Sequence, residues 1–104
     1  TSSDYRLKTD AQPMTGATAR LKALNPVNFE WIADGTRVDG FLAHEAQEVV
    51  PEAVHGTKDA LDEEGNPDYQ GIDQSKLVPL LTAALQEALT KMEALEVRIT
   101  NLEA

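Results

Sequence analysis

The chain has 104 residues, with 9 basic and 18 acidic side chains and no cysteine, giving a formal charge of −9. One small domain fits that length, and its core alone is marginal. The missing cysteines exclude a disulfide framework, thiolate zinc sites and a cysteine nucleophile, while the acidity argues against binding nucleic acid or an anionic membrane, both of which reward Lys/Arg clusters. No apolar run reaches the roughly 20 residues needed to span a bilayer, and no signal-peptide pattern opens the chain. It is expected to be soluble and intracellular when made.

In chain order, an extended start gives way to Met14, Ala17, Leu21 and Leu24 at helical spacing, which predicts a short amphipathic helix ended by Asn25-Pro26. Val27, Phe29 and Trp31 alternate with Asn28 and Glu30, predicting a strand; Asp34-Gly35 supplies a turn, and Val38 to Ala43 a second strand pairing back. His44 to Val50 makes two helical turns before Pro51 stops them. Val54 to Gly56 and Asp68 to Ile72 read as short strands flanking an acidic loop that holds Asp59, Asp62, Glu63, Glu64 and Asp68. A calcium loop with Gly65 at its sixth position needs an acid where Ala60 stands, so a solvated loop is expected and no metal. Residues 1–75 form an α+β head with few aromatic residues for its core.

Residues 76–104 form a stalk. Val78, Leu81, Leu85, Ala88, Met92, Leu95, Ile99 and Leu102 step alternately by 3 and 4, an unbroken heptad register with Val78, Leu85, Met92 and Ile99 at a and the other four at d. Such a helix runs about 43 Å at 1.5 Å per residue, too long to lie wholly on its own head, so part of its seam must find another chain. The alternative is a helix folded back on the head. Lys91 and Arg98 fall at g and Glu96 and Glu103 at e; parallel chains pair Lys91 with Glu96 and Arg98 with Glu103 of the neighbour, whereas antiparallel chains oppose like charges. Val or Ile at a favours two strands, a rule blurred by Leu85 and Met92. The closing Arg98-Ile99-Thr100-Asn101-Leu102-Glu103 resembles the Arg-apolar-x-x-apolar-Glu motif of three-stranded coiled coils, so a homotrimer is expected. Pro79 is tolerated if Ser75 caps the helix, and a kink is expected if Asp73 does.

The charge is uneven: 6 basic against 14 acidic residues through Ser75 leave −8 on the head, and 3 against 4 thereafter leave −1 on the stalk. At the start, Ser3 and Lys8 offer a hydroxyl and an amine five residues apart. In an extended segment odd spacing puts them on opposite faces, so they meet only if the chain turns. By itself that pair is a weak signal.

Ser3-Asp4-x-Arg6-x-Lys8, then Ala23-Leu24-Asn25-Pro26-Val27-Asn28-Phe29-Glu30-Trp31, then Gly40-Phe41-Leu42-Ala43-His44-Glu45-Ala46-Gln47-Glu48-Val49-Val50-Pro51-Glu52-Ala53-Val54, occur in order. Tyr69-Gln70-Gly71-Ile72-Asp73 and Lys76-Leu77-Val78-Pro79-Leu80-Leu81 follow. This ordered set resembles the C-terminal intramolecular chaperone domain of phage endosialidases, tail fibres, tailspikes and neck appendages, to which a domain of the myelin regulatory factor is related. The resemblance implies a trimer that assists folding of the fibrous domain upstream of it in the same polypeptide and then cuts itself off. It implies Ser3 as nucleophile, Lys8 as its base, a scissile bond just before Ser3, and Asp4 and Arg6 as supporting motif residues, with no cofactor. It further implies assembly in the host cytoplasm, with the upstream product in the virion tail fibre and this domain released. Ser2 is a competing hydroxyl, set aside because Asp4 directly follows the serine of the motif. His44, where many members have glutamine, is left out of catalysis; its helix-start context suits a cap or a polar surface contact about as readily as a contact to substrate. A lysine base must lose its proton, and lowering an amine from about 10.4 to near 7 costs on the order of 4 kcal/mol, which desolvation has to supply. A trimerisation module with an inactive Ser3/Lys8 pair is the competing reading; an enzyme acting on an external small molecule finds no phosphate loop or metal-spaced cluster.

Overall fold

A computed structural model describes residues 2–104. The chain is elongated, 71 × 41 × 20 Å, with a radius of gyration of 19.2 Å, against about 13 Å for a compact chain of this length. The excess lies in one helix.

The head begins with an extended arm containing a single 3₁₀ turn, Tyr5–Leu7, and continues into α1, Ala17–Ala23. Gly16 enters α1 at φ +68, a left-handed conformation that glycine adopts freely. Leu24 leaves the helix in extended conformation ahead of Asn25-Pro26. Strands β1, Val27–Glu30, and β2, Arg37–Gly40, pair antiparallel with Phe29 opposite Val38 and Val27 opposite Gly40. At the turn, Asp34 Oδ1 accepts from Thr36 N (3.0 Å) and Thr36 Oγ1 (2.7 Å). The second strand is shorter than Val38 to Ala43: Ala43 already opens α2, Ala43–Val49, because the Leu42 carbonyl accepts the first helical N–H bonds. His44 sits in the first turn of α2 and caps nothing, since the N-cap is Leu42 without a side-chain bond.

After the Pro51–Ala53 3₁₀ turn, β3, Val54–His55, pairs antiparallel with β4, Gly71–Ile72. Both are shorter than their apolar patterns suggested. Between them the acidic loop closes on itself through a Leu61–Pro67 bridge and through Asp62 Oδ1, which accepts from Glu64 N and Asn66 N at 2.9 Å each. The Asp62 side chain thus supplies acceptors for the backbone N–H groups of the loop's own tip.

The His55 ring packs against Gly71, so that a Cβ at position 71 would collide first with Cε1 of that ring and then with Nε2. Gly71→Ala is expected to destabilise the head by about 1–3 kcal/mol. In a His55→Ala background the same change should cost much less, which a double-mutant cycle in chemical denaturation measures.

Asp73 caps a second 3₁₀ turn, Gln74–Leu77, and α3 then runs from Val78 to Glu103. Asp73 is thus the cap, yet Pro79 falls in the first turn of α3, where its missing N–H removes no helical bond. The 3₁₀ turn separates cap from proline, which the choice between Ser75 and Asp73 as α-helix caps did not anticipate.

Among the described residues the buried core comprises Ala17, Ala46, Val50, Ala53, Leu77, Leu80 and Ala84. Four of the seven are alanines and none is aromatic; Phe29 and Trp31 instead meet edge to face on the hairpin at 4.9 Å. Leu77, Leu80 and Ala84 come from the stalk side of the chain and close the core against α1. They occupy g and c of the heptad, so the head uses one stripe of the helix and leaves the other open. Leu81, Leu85, Met92, Leu95, Ile99 and Leu102 are all exposed on a single chain. Glu87 hydrogen-bonds back to Thr18, and every α3 residue after it is exposed. No helix among the described residues is long and apolar enough to cross a membrane.

Candidate functional site

Ser3 and Lys8 meet because the chain turns between them. Leu7 N–H donates to the Asp4 carbonyl (3.0 Å) and Lys8 N–H to the Tyr5 carbonyl (3.1 Å), closing the 3₁₀ turn. Asp4 holds it: Oδ1 accepts from Arg6 N at 2.9 Å, while Oδ1 and Oδ2 accept from Arg6 Nε and Nη2 at 3.0 Å each. The three-residue turn cancels the odd-spacing problem, and Lys8 Nζ donates to Ser3 Oγ at 2.7 Å. Asp4 and Arg6 touch neither of those atoms; they set the geometry that brings them together.

The Arg6 guanidinium, with its backbone N–H second, holds the Asp4 carboxyl below the usual carboxylate range. A carboxylate with a lowered value stabilises its turn above the ordinary range and loses that contribution as pH falls through the lowered value. The Asp4–Arg6 bonds are therefore present at neutral pH, and acid is expected to weaken the turn. Asp4→Ala should disorder the turn at neutral pH, seen as loss of the Lys8 amide's protection in NMR exchange. It should also slow any chemistry between Ser3 and Lys8 by about 10–100-fold, since roughly 1 Å of misplacement suffices for that.

The pair borders a groove of about 610 Å³ whose floor includes the two most fully buried large side chains, Val50 and Leu80. Its rim carries Arg20 from α1, Glu52 from the turn after α2, and Asp73 and Lys76 at the entry to α3. Arg20 Nη2 donates to the Val49 carbonyl (3.1 Å), which fixes it between α1 and α2. Asp73 accepts from Ser75 N (3.1 Å) and Ser75 Oγ (2.6 Å), and its carboxyl is held low, chiefly by the Ser75 hydroxyl. Sequence reading did not place Arg20, Glu52 and Lys76 beside Ser3, because they come from three distant segments that only packing unites. Ser2 also lines the groove, next to Ser3. His44 lies elsewhere, against the acidic loop with Asp59 and Asp68. Among the described residues no cluster of His, Asp and Glu is arranged to hold a metal.

The head is thus a small α+β unit that presents a hydroxyl–amine pair on a capped turn, at the root of a long helical stalk. The family model described as the chaperone of endosialidase matches residues 3–55, from Ser3 through the hairpin and α2 to His55. The chain belongs to that family. The family carries the name of a peptidase family. No curated protein matches the chain.

Proposed function

We propose that the chain is an intramolecular chaperone that assembles as a parallel homotrimer through α3, assists folding of a fibrous domain upstream of it, and releases itself by cutting before Ser3. The observation that carries the catalytic part is the 2.7 Å contact from Lys8 Nζ to Ser3 Oγ at the first residue of the family match. Lys8 takes the proton of the Ser3 hydroxyl, and Oγ attacks the carbonyl carbon of residue 2. The C–N bond before Ser3 breaks, and Lys8 returns the proton to the departing amine. Because nucleophile and leaving nitrogen belong to one residue, the acyl group moves from Ser3 N to Ser3 Oγ as an ester. Water then hydrolyses that ester, leaving a carboxylate on residue 2 and a free amine and hydroxyl on Ser3.

A lysine base works only in surroundings drier than open water. On a single chain both Ser3 and Lys8 are exposed, and so are Tyr5 (83 %) and Leu7 (71 %) on the same turn. Those two apolar side chains are available to seal the pair once neighbouring chains and the upstream domain close over it, so cleavage follows correct assembly. A precursor that retains its upstream domain tests the reading on a denaturing gel. Two bands that collapse to one on Ser3→Ala indicate autoproteolysis; a single band throughout indicates a trimerisation module without activity.

A further inference from the structure

The stalk offers a second surface beside its seam. A groove of about 540 Å³ is lined by Thr18 of α1 and by Glu87, Ala88, Lys91, Met92 and Leu95 of α3. It crosses the line between the residues that hold the head and those of the seam: Glu87 Oε1 accepts from Thr18 Oγ1 (3.0 Å) and Thr18 N (3.4 Å), while Ala88, Met92 and Leu95 are d, a and d. No described residue of the same chain fills it. The obvious apolar side chain at that height is Leu89, which is 47 % exposed. At about 100° per residue it lies roughly 200° around the helix from Glu87 and so faces away from its own head.

We propose that this groove is the seat of Leu89 of the partner subunit. The inference rests on the parallel assembly proposed above. In parallel chains each g position faces the e position five residues on in the neighbour. Ala84 and Lys91 are successive g positions, so the residues arriving beside them are Leu89 and Glu96 of the partner subunit. Ala84 is covered by its own head (3 % exposed), which leaves the space between Thr18 and Lys91 for the leucine. Four features agree. An e position of a coiled coil ordinarily carries a polar residue, yet here it is a leucine. Ala88 at d is small and leaves room beside it. The groove lies at the height of residue 89. The next rung sets Lys91 against the incoming glutamate, so opposite charges fix the same register.

Each head is thereby clamped by the adjacent stalk. The leucine lies over the Thr18–Glu87 hydrogen bonds, where excluding water strengthens them. Those bonds tie the start of α1 to α3, directly after the arm that carries Ser3 and Lys8. Assembly and placement of the arm are linked through this contact, and a lone chain lacks it.

The chain contains no cysteine, so engineered thiols report single contacts. Thr18→Cys combined with Leu89→Cys, treated with a short bis-maleimide, is expected to give covalent dimers and a closed trimer on a denaturing gel, with neither single variant linking. Ile99→Cys alone reports parallel, in-register assembly independently. Linkage by Ile99→Cys without linkage of the Thr18/Leu89 pair overturns this contact while leaving parallel assembly standing. Failure of both, with sedimentation as a monomer, overturns the assembly reading and this one with it. Leu89→Ala, which leaves every a and d residue in place, should raise the trimer's dissociation constant about tenfold or more. Thr90→Ala, on the outer face, should leave it unchanged, and equal effects of the two variants count against the leucine seat.

Discussion

Ser3→Ala in a precursor that retains its upstream domain is expected to run as one uncleaved band, with cleavage reduced beyond detection. The Ser3 hydroxyl is the nucleophile of the proposed reaction, and among the described residues it is the side-chain group to which Lys8 Nζ is hydrogen-bonded. Lys8→Met should lower the rate by about 10²–10⁴-fold, the usual worth of a positioned general base, without changing assembly. Lys8→Arg should be no better than Lys8→Met, because a guanidinium donates to Ser3 Oγ but does not accept its proton. Ser3→Cys adds a chemical readout: its acyl intermediate is a thioester, so hydroxylamine should accelerate appearance of the two fragments. Retained cleavage in Ser3→Ala would place the nucleophile elsewhere, with Ser2 the first candidate because it borders the same groove.

Leu95→Asp should convert the assembly to monomers. Leu95 is 45 % exposed on a single chain and sits at d, clear of the head. The proposed parallel trimer would bury three copies in one layer, and removing a buried leucine costs about 2–5 kcal/mol per copy. Three such losses, with three carboxylates brought together, exceed about 6 kcal/mol and shift the assembly equilibrium by more than about 10⁴-fold. Analytical ultracentrifugation at micromolar concentration reads that shift directly. The head should remain folded, because its contacts with the stalk end near Glu87. Its circular dichroism should therefore lose stalk helix and little else. A trimer that survives Leu95→Asp would mean that α3 does not assemble through the a/d seam.

Much of the fold is written locally in the sequence. Helices α1 and α2 follow from apolar spacing and from prolines that end each run, and the hairpin from Val27, Phe29 and Trp31 ahead of Asp34-Gly35. What was not legible depends on side chains bonding to nearby backbone or on packing at a distance. The turn at Tyr5–Leu7 exists because Asp4 accepts from Arg6, so the Asp-x-Arg spacing was the signal for it, though propensity gives no hint. The strands beside the acidic loop are short because Gly56 turns out of β3 at φ +87 and the Asp68 N–H bonds to the Ala60 carbonyl within the loop instead of to β3. The head-binding stripe of α3 was present in the sequence as Leu77, Leu80 and Ala84, again spaced 3 and 4. It went unread because the longer a/d register beside it accounts for the helix on its own. The floor of the Ser3 groove was the least legible part. Val50 and Leu80 lie 30 residues apart in sequence, and only the closed core places them under the N-terminal arm.

These elements give one physical chain of events. A core built largely of alanines does little to hold the head by itself, and in the proposed trimer the open seam of α3 makes up the shortage by pairing with other chains. The Ser3–Lys8 pair is preformed by its turn and exposed on a single chain; in the proposed function it dries only when chains and client close over it, so that cleavage reports assembly. The most direct measurement follows an uncleaved precursor across a dilution series, recording cleavage rate and trimer fraction together. The rate per chain should track the trimer fraction, vanish with it on dilution, and vanish in Leu95→Asp even though Ser3 and Lys8 are intact. A monomeric precursor that cleaves as fast as the trimer would contradict the account.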